Sequence, residues 1–236
     1  MVRIIKLEKM TKIERLALVS CRSPYLDSDR VYPPLGIMYL EAVVNKHLPY
    51  VQTELLDDVW GSDFRKFKDF DAVGISIMTP QRNEALNLLH SIKENYPNKI
   101  VIAGGPHVKH YIGDIIRAEE PYDYLVPLDG ERALIGILSG ETEKFNHRYI
   151  RTGWKNLEHV VMDDIEDPRI LVDIMNKQDI YNAPRPDRSS QNAINVIKRY
   201  HYNLGDREST TMMTARGCPE QCTFCEDAMT AVKRSS

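Results

Sequence analysis

The chain has 236 residues, of which 42% are hydrophobic, so it can bury a substantial core and is not a disordered protein. Its 31 lysines and arginines are balanced by 34 aspartates and glutamates, and the net charge of -3 argues against nucleic acid as a partner. Charged side chains interrupt residues 1–15, so we expect neither a signal peptide nor a membrane span there. These features predict a cytoplasmic protein whose partners are small molecules.

The first part of the chain alternates short apolar runs with helical patterns. Residues 16–20 form a continuous apolar run, typical of a strand that is buried on both faces. The other predicted strands are 51–56, 70–78, 100–103 and 124–126. Helices are predicted at 35–47, along a stripe formed by Ala85, Leu89, Ile92 and Tyr96, and from Glu131 to a stop at Gly140.

This alternation predicts βαβ units with right-handed crossovers, and therefore a doubly wound parallel sheet in a Rossmann-like α/β domain over residues 1–140. Ligands of such sheets bind beyond the carboxyl ends of the strands. Glycine, proline and polar residues at those ends therefore predict one pocket, although the same residues are common in ordinary turns. They are Pro33, Pro34, Leu35 and Gly36 after the first strand, Ser76, Met78 and Thr79 at the third, Gly104, Gly105, Pro106 and His107 at the fourth, and Gly130 and Glu131 at the fifth.

Residues 141–207 are polar, mixed in charge and interrupted by prolines, which predicts a connector between two domains. Within it, short helices are predicted at 169–177 and at 190–200. The threonine-rich residues 208–214 then predict a strand that leads into a cysteine-rich loop.

Three of the four cysteines lie in that loop: Cys218, Cys222 and Cys225, with C-x3-C-x2-C spacing. Thiolates bind iron-sulfur clusters or zinc, and three thiolates leave one metal position open for another ligand. A zinc site completed by His201 or Cys21, or three ordinary thiols, is the alternative that these residues leave open. Cys21 by itself is more typical of a small buried residue at a strand end.

With Phe224 directly before its last cysteine, the loop resembles the cluster-binding signature of the radical S-adenosylmethionine (SAM) enzymes. The resemblance implies that Cys218, Cys222 and Cys225 ligate a [4Fe-4S] cluster whose open iron binds SAM, with Phe224 beside the adenine. It also implies that residues 208–236 begin a partial barrel. Because a complete (β/α)8 barrel takes about 250 residues, we expect the chain to be part of a longer enzyme, or to need a second chain that supplies the rest.

The order of the upstream motifs resembles the cobalamin-binding domain that is fused to many radical SAM enzymes. No G-x-G-x-x-G follows the first strand, which argues against NAD or FAD. Many cobalamin proteins carry a cobalt-ligating histidine after that strand, whereas this chain has no histidine before His47. The resemblance therefore implies cobalamin without a protein histidine on the metal, with His107 near the nucleotide tail of the cofactor.

For the complete enzyme, the resemblance implies a methyltransferase that acts on an unreactive carbon, while the chain alone is expected to be inactive. The sequence identifies neither the substrate nor a catalytic residue. The alternatives are a non-catalytic corrinoid-binding module, an accessory subunit, or a zinc-binding protein.

Overall fold

The computed structural model describes residues 12–26, 32–155, 158–200, 203–204, 207–208, 210–213 and 216. The predicted cluster ligands Cys218, Cys222 and Cys225, and the predicted SAM contact Phe224, lie outside the described residues.

A five-stranded parallel sheet forms the centre of the fold. Its strands are β1 (Arg15–Cys21), β2 (Gln52–Val59), β3 (Ala72–Ser76), β4 (Ile100–Gly104) and β5 (Tyr124–Val126). The helices that follow β1, β3, β4 and β5 are α1 (Leu35–His47), α2 (Arg82–Asn95), α3 (Pro106–Arg117) and α4 (Glu131–Ser139), and 3-10 helices span Gly61–Phe67 and Thr79–Gln81. The strand order β2-β1-β3-β4-β5 reverses direction at β1, which places a topological switch point between β1 and β3. The predicted α/β class and parallel sheet are confirmed.

Helices cover both faces of the sheet, which explains the unbroken apolar run of β1. Ala17 and Val19 pack into a core with α2 and α3, whereas Leu16 and Leu18 pack into a second core with α1 and α4. Every one of these four side chains is at most 1% exposed. Because neither face of the strand meets water, no polar alternation appears in its sequence.

The region predicted to be a connector folds against this domain. Antiparallel strands β6 (Arg148–Lys155) and β7 (Glu158–Glu166) form a hairpin that the sequence did not predict. The hydroxyl of Tyr149 in β6 donates to the carbonyl oxygen of Lys109 in α3 at 3.0 Å, so the hairpin packs on the α3 side. Helices α5 (Lys177–Asn182) and α6 (Gln191–Ile197) follow, and α6 confirms the helix predicted within residues 190–200.

The helix predicted at 169–177 is wrong over nearly all of its length. These residues run beside the short edge strand β5. The N–H of Leu125 donates to the carbonyl oxygen of Arg169, and the N–H of Leu171 donates to the carbonyl oxygen of Leu125. Ile170 and Leu171 are fully buried, one in each core. Pairing with this segment satisfies backbone groups at the edge of β5, whereas a short isolated helix is only marginally stable in water.

The strand predicted at 208–214 is wrong at residues 210–213, whereas Glu208 does lie in a strand. Strands β8 (Asn203–Leu204) and β9 (Arg207–Glu208) pair with each other, but residues 210–213 have no regular structure. The guanidinium of Arg188 donates to the hydroxyl of Thr210 at 2.7 Å and to the carbonyl oxygen of Thr211. A side chain therefore takes a backbone acceptor that a neighbouring strand would otherwise use.

Among the described helices, none combines the length and apolarity that crossing a bilayer requires.

Candidate functional site

A cavity of about 400 Å3 lies at the carboxyl ends of the strands, between the sheet and helices α1 and α4. Its floor is apolar, with the side chains of Leu18, Ile102 and Val126 from β1, β4 and β5, and with Gly74 of β3. The polar side chains of its lining are Ser76 at the end of β3, Asp129 and Glu131 just after β5, and Arg216, and this polar end is termed the mouth. An apolar chamber with a few polar groups at one end is typical of a site for an organic ligand.

The structure brings about half of the predicted cofactor-binding residues together around this cavity. Those that line it are Gly36, Ser76, Gly104, Gly105, Gly130 and Glu131. The predicted residues that do not line it are Pro33, Pro34, Leu35, Met78, Thr79, Pro106 and His107. Sequence analysis did not select Arg216, because an isolated arginine carries no local signal of a carboxylate partner elsewhere in the chain.

Gly36, in the first turn of α1, is a glycine that the protein's own packing does not require. A Cβ atom built on it would meet no atom within 4 Å, so the space in front of this exposed lining residue is open. By contrast, a Cβ on Gly130 would come within 3.1 Å of a methyl carbon of Leu40, so packing already restricts that position. The unfilled space at Gly36 fits a ligand that approaches the helix backbone closely.

Gly105 is required for a different reason, which lies in the backbone of the turn. Its φ angle is +91°, a conformation that L side chains rarely adopt, and a Cβ there would lie 2.9 Å from both the nitrogen and the oxygen of Ile77. The same turn pairs the N–H of His107 with the carbonyl oxygen of Ile77 at 2.9 Å. Replacing Gly105 would therefore disturb the fold itself, and a loss of ligand binding would not identify a contact.

His107 is a packed residue that is not part of the cavity lining. The residue is 8% exposed, its ring stacks on Tyr111 with the centroids 4.9 Å apart, and its Nδ1 lies 3.4 Å from the hydroxyl of Thr79. Burial, followed by the positive charge of Arg82, lowers the pKa of His107 below its ordinary value of 6.5. These contacts favour a neutral imidazole at neutral pH.

The mouth of the cavity is closed on one side by an ion-pair cluster. Arg216 Nη2 donates to Glu131 Oε1, and Arg216 Nη1 lies 3.6 Å from Asp129 Oδ1. The guanidinium also lies over the ring of Tyr39, 5.3 Å from its centroid. Burial opposes the positive charge of Arg216, but the hydrogen bond to Glu131 and the two carboxylate charges outweigh it and raise the pKa of Arg216.

Cys21 is a buried and unreactive thiol, as its position at a strand end indicated. It is 2% exposed, and burial, followed by the negative charge of Glu84, raises the pKa of the thiol to about 12. A protonated thiol is a poor metal ligand. Within the ranges that the structure describes, no three histidine, cysteine or acidic side chains are grouped so that they could hold a metal ion.

Comparison with known protein families bears directly on the cavity. Residues 27–138 match the family model of the B12 binding domain. The matched range runs from before α1 to the last turn of α4, and it contains every cavity-lining residue except Leu18, Met213 and Arg216. The similarity to the B12 binding domain therefore coincides with the site that the geometry identifies.

The chain is also similar to uncharacterized methyltransferase PH0819 of Pyrococcus horikoshii, with 28% identity over 212 residues. The alignment covers 86% of this chain but only 42% of that protein, so the chain spans less than half the length of this relative. A solved structure of the Salmonella typhimurium RcsB response regulator matches with a TM-score of 0.36 and 11% identity, covering 55% of this chain and 62% of RcsB. A likeness at that level supports no inference about function.

Proposed function

We propose that the chain binds cobalamin in the cavity between α1, α4 and the sheet, as the corrinoid-binding part of a radical SAM enzyme of the methyltransferase type. The observation that carries the proposal is the coincidence of a built cavity with the range similar to the B12 binding domain. Gly36 adds to it, because this exposed glycine lines the cavity and no other side chain lies where a Cβ would stand.

The dimensions and polarity of the cavity suit the nucleotide tail of cobalamin. The tail carries a flat aromatic base on a ribose, which matches a largely apolar chamber of about 400 Å3 with a few polar lining groups. The corrin ring is too large for this chamber, so it would lie outside, across the ends of the strands. The hydroxyl of Ser76 would accept or donate a hydrogen bond to hydroxyl or amide groups of the tail, whereas Asp129 and Glu131 are engaged by Arg216.

In this proposal, cobalt carries no histidine from the protein. The sequence has no histidine between β1 and His47, at the end of α1, and His107 is stacked on Tyr111 outside the cavity lining. A tail held in the cavity would keep the base of the cofactor away from its own cobalt. The bound cofactor would therefore be base-off and without an imidazole ligand from this chain.

The radical SAM part of the proposal rests on the cysteine loop. Cys218, Cys222 and Cys225 would hold a [4Fe-4S] cluster with one iron open to SAM, and Phe224 would lie beside the adenine. The cluster with SAM would supply radical chemistry, and cobalamin would supply methyl transfer. The name of the Pyrococcus horikoshii relative, a methyltransferase, supports this choice of reaction class.

Titration with hydroxocobalamin tests the cofactor claim without requiring turnover. The full 236-residue chain is mixed with the cofactor, separated by gel filtration, and examined by absorption spectroscopy. We expect one cobalamin to be retained per chain, with a base-off spectrum and no imidazole ligand on cobalt. Failure to retain the cofactor would overturn the proposal, and a histidine-ligated spectrum would overturn the account of the axial position.

A further inference from the structure

Arg216 occupies a special position in the chain, because it precedes Cys218 by two residues and yet lies at the mouth of the cavity. Its side chain is 13% exposed and contacts three separate parts of the fold. These are Glu131 in the first turn of α4, Asp129 in the loop after β5, and the ring of Tyr39 in α1. The segment that leads to the cysteine loop is thus fastened directly to the candidate ligand site.

The two carboxylates are buried with Arg216 in contact, and Asp129 also has a partner elsewhere in the fold. Asp129 and Glu131 are 6% and 5% exposed, and Asp129 Oδ2 accepts the N–H of Met175 at 2.8 Å. Glu131 lies at the positive end of the α4 dipole, which favours its negative charge. Two neighbouring buried carboxylates repel each other, and the positive charge of Arg216 relieves that repulsion. Release of Arg216 from the mouth would therefore be costly.

We infer that Arg216 is a positioning residue, which holds the cysteine segment at the mouth of the cavity through Asp129 and Glu131. Two residues of fully extended chain span at most about 7 Å, so an anchored Arg216 limits how far Cys218 can lie from the mouth. The anchor depends on charge and hydrogen-bond geometry alone. It requires neither cobalamin nor an iron-sulfur cluster to be bound.

The same residue couples the anchor to whatever fills the cavity. Arg216 and Met213 form part of the cavity wall, and about 400 Å3 remains open with both in place. A ligand in the cavity would therefore contact Arg216 and Met213 without displacing them. Ligand binding and the anchoring of Arg216 would then strengthen each other by the same factor in their equilibrium constants. This second step rests on the proposed function, whereas the anchor itself does not.

Trypsin provides a direct assay of the anchor, because it cleaves after arginine and must bind the side chain of Arg216 to cut the bond to Gly217. The full chain is digested briefly, and cleavage of this bond is followed by mass spectrometry, relative to the same bond in a short peptide. When reclosing is faster than cutting, the rate reports the fraction of chains in which Arg216 is released.

We expect Glu131→Gln to accelerate this cleavage by about tenfold or more, since a charge-assisted hydrogen bond is lost. Arg216→Lys keeps a trypsin site and both carboxylate partners but loses the planar guanidinium, so this variant should also be cut faster. The matched control is Asp114→Asn, an exposed carboxylate on α3 that pairs with Arg117 and should leave the rate unchanged. Rates within twofold of the wild type in both Glu131→Gln and Arg216→Lys would overturn the inference.

Addition of hydroxocobalamin to the wild-type chain tests the coupling separately. Retained cobalamin should slow cleavage at Arg216 severalfold, whereas retained cobalamin with unchanged cleavage would overturn the coupling. If the cofactor is not retained at all, the proposed function fails, and the effect of Glu131→Gln still decides whether Arg216 is an anchor.

Discussion

Asn192 in α6 donates its side-chain amide to Glu41 Oε1 in α1 at 2.6 Å, across 151 residues of sequence. The same amide nitrogen lies 2.8 Å from the carbonyl oxygen of Thr53 in β2. Glu41 is 3% exposed, so this carboxylate is buried under α6. The polar region after residue 140 is therefore fastened to the sheet domain by a specific contact as well as by Ala193 and Val196, which enter its core.

Asn192→Ala should lower the free energy of unfolding by about 1–3 kcal/mol, because it leaves a buried carboxylate oxygen and a backbone carbonyl without this donor. Chemical denaturation measures the change. Asn195→Ala is the matched control on the same helix, since Asn195 is exposed and its side chain pairs only with Gln191 among the described contacts. A control variant as unstable as Asn192→Ala would show that loss of α6 helicity, and not loss of the contact, causes the effect.

The stability of Glu41→Gln relative to the wild type should increase as the pH rises from acid to neutral. Burial raises the pKa of Glu41 above 4.5, although hydrogen bonds from Asn192 and Thr53 oppose the shift. The folded state then binds more protons than the unfolded state in the window just above pH 4.5, so wild-type stability falls as the pH rises through that window. Glutamine keeps the acceptor for Asn192 and removes this loss. Parallel stability curves for the two proteins from acid to neutral pH would contradict the account.

His107→Phe should reduce the sensitivity of the protein to mild acid. Because burial and Arg82 lower the pKa of His107, the unfolded chain binds a proton at this residue more readily than the folded protein. The contribution of neutral His107 to stability is therefore complete above pH 6.5 and is lost as the pH falls below it. Phenylalanine keeps the ring stacking on Tyr111 without the titration. Thermal melting from pH 7.5 to 5 would show a smaller decline in the variant, and an equal decline would refute the prediction.

Each of Cys218→Ala, Cys222→Ala and Cys225→Ala should prevent the chain from retaining iron and sulfide after anaerobic reconstitution, since two thiolates hold a cluster poorly. Cys21→Ala is the internal control, because its buried protonated thiol should contribute no ligand. Elemental analysis distinguishes the alternatives. Stoichiometric zinc in the isolated protein, or loss of iron in Cys21→Ala, would contradict the three-cysteine cluster.

The elements that could be predicted from sequence are those whose burial leaves a local pattern. Helix α1 and strand β5 match their predicted bounds, and Gly140 ends α4 in the left-handed conformation that favours glycine. The β6–β7 hairpin leaves no such pattern, because its register shifts between Arg151 and Thr152 and interrupts the alternation of a half-buried strand. It also carries charged pairs such as Arg148 with Asp164 and Arg151 with Asp163, which look like ordinary polar sequence.

The position of the candidate site at the strand ends could be predicted from sequence, but the role of each residue there could not. Gly36 and Gly105 look alike in sequence, yet one faces open cavity and the other is required by a positive φ angle. Arg216 was not identified because its partners Asp129 and Glu131 lie far earlier in the chain, and only folding brings the three together.

The most direct test of the central claim is the dissociation constant of hydroxocobalamin for Gly36→Leu. The side chain would enter the cavity, so we expect affinity to fall by roughly 5- to 150-fold, the equivalent of about 1–3 kcal/mol of overpacking. Folding should be preserved, since a Cβ at this position meets nothing within 4 Å. Lys46→Leu adds the same side chain to a position of α1 that does not line the cavity and should bind cobalamin like the wild type. A folded Gly36→Leu protein with wild-type affinity would show that cobalamin does not occupy this cavity.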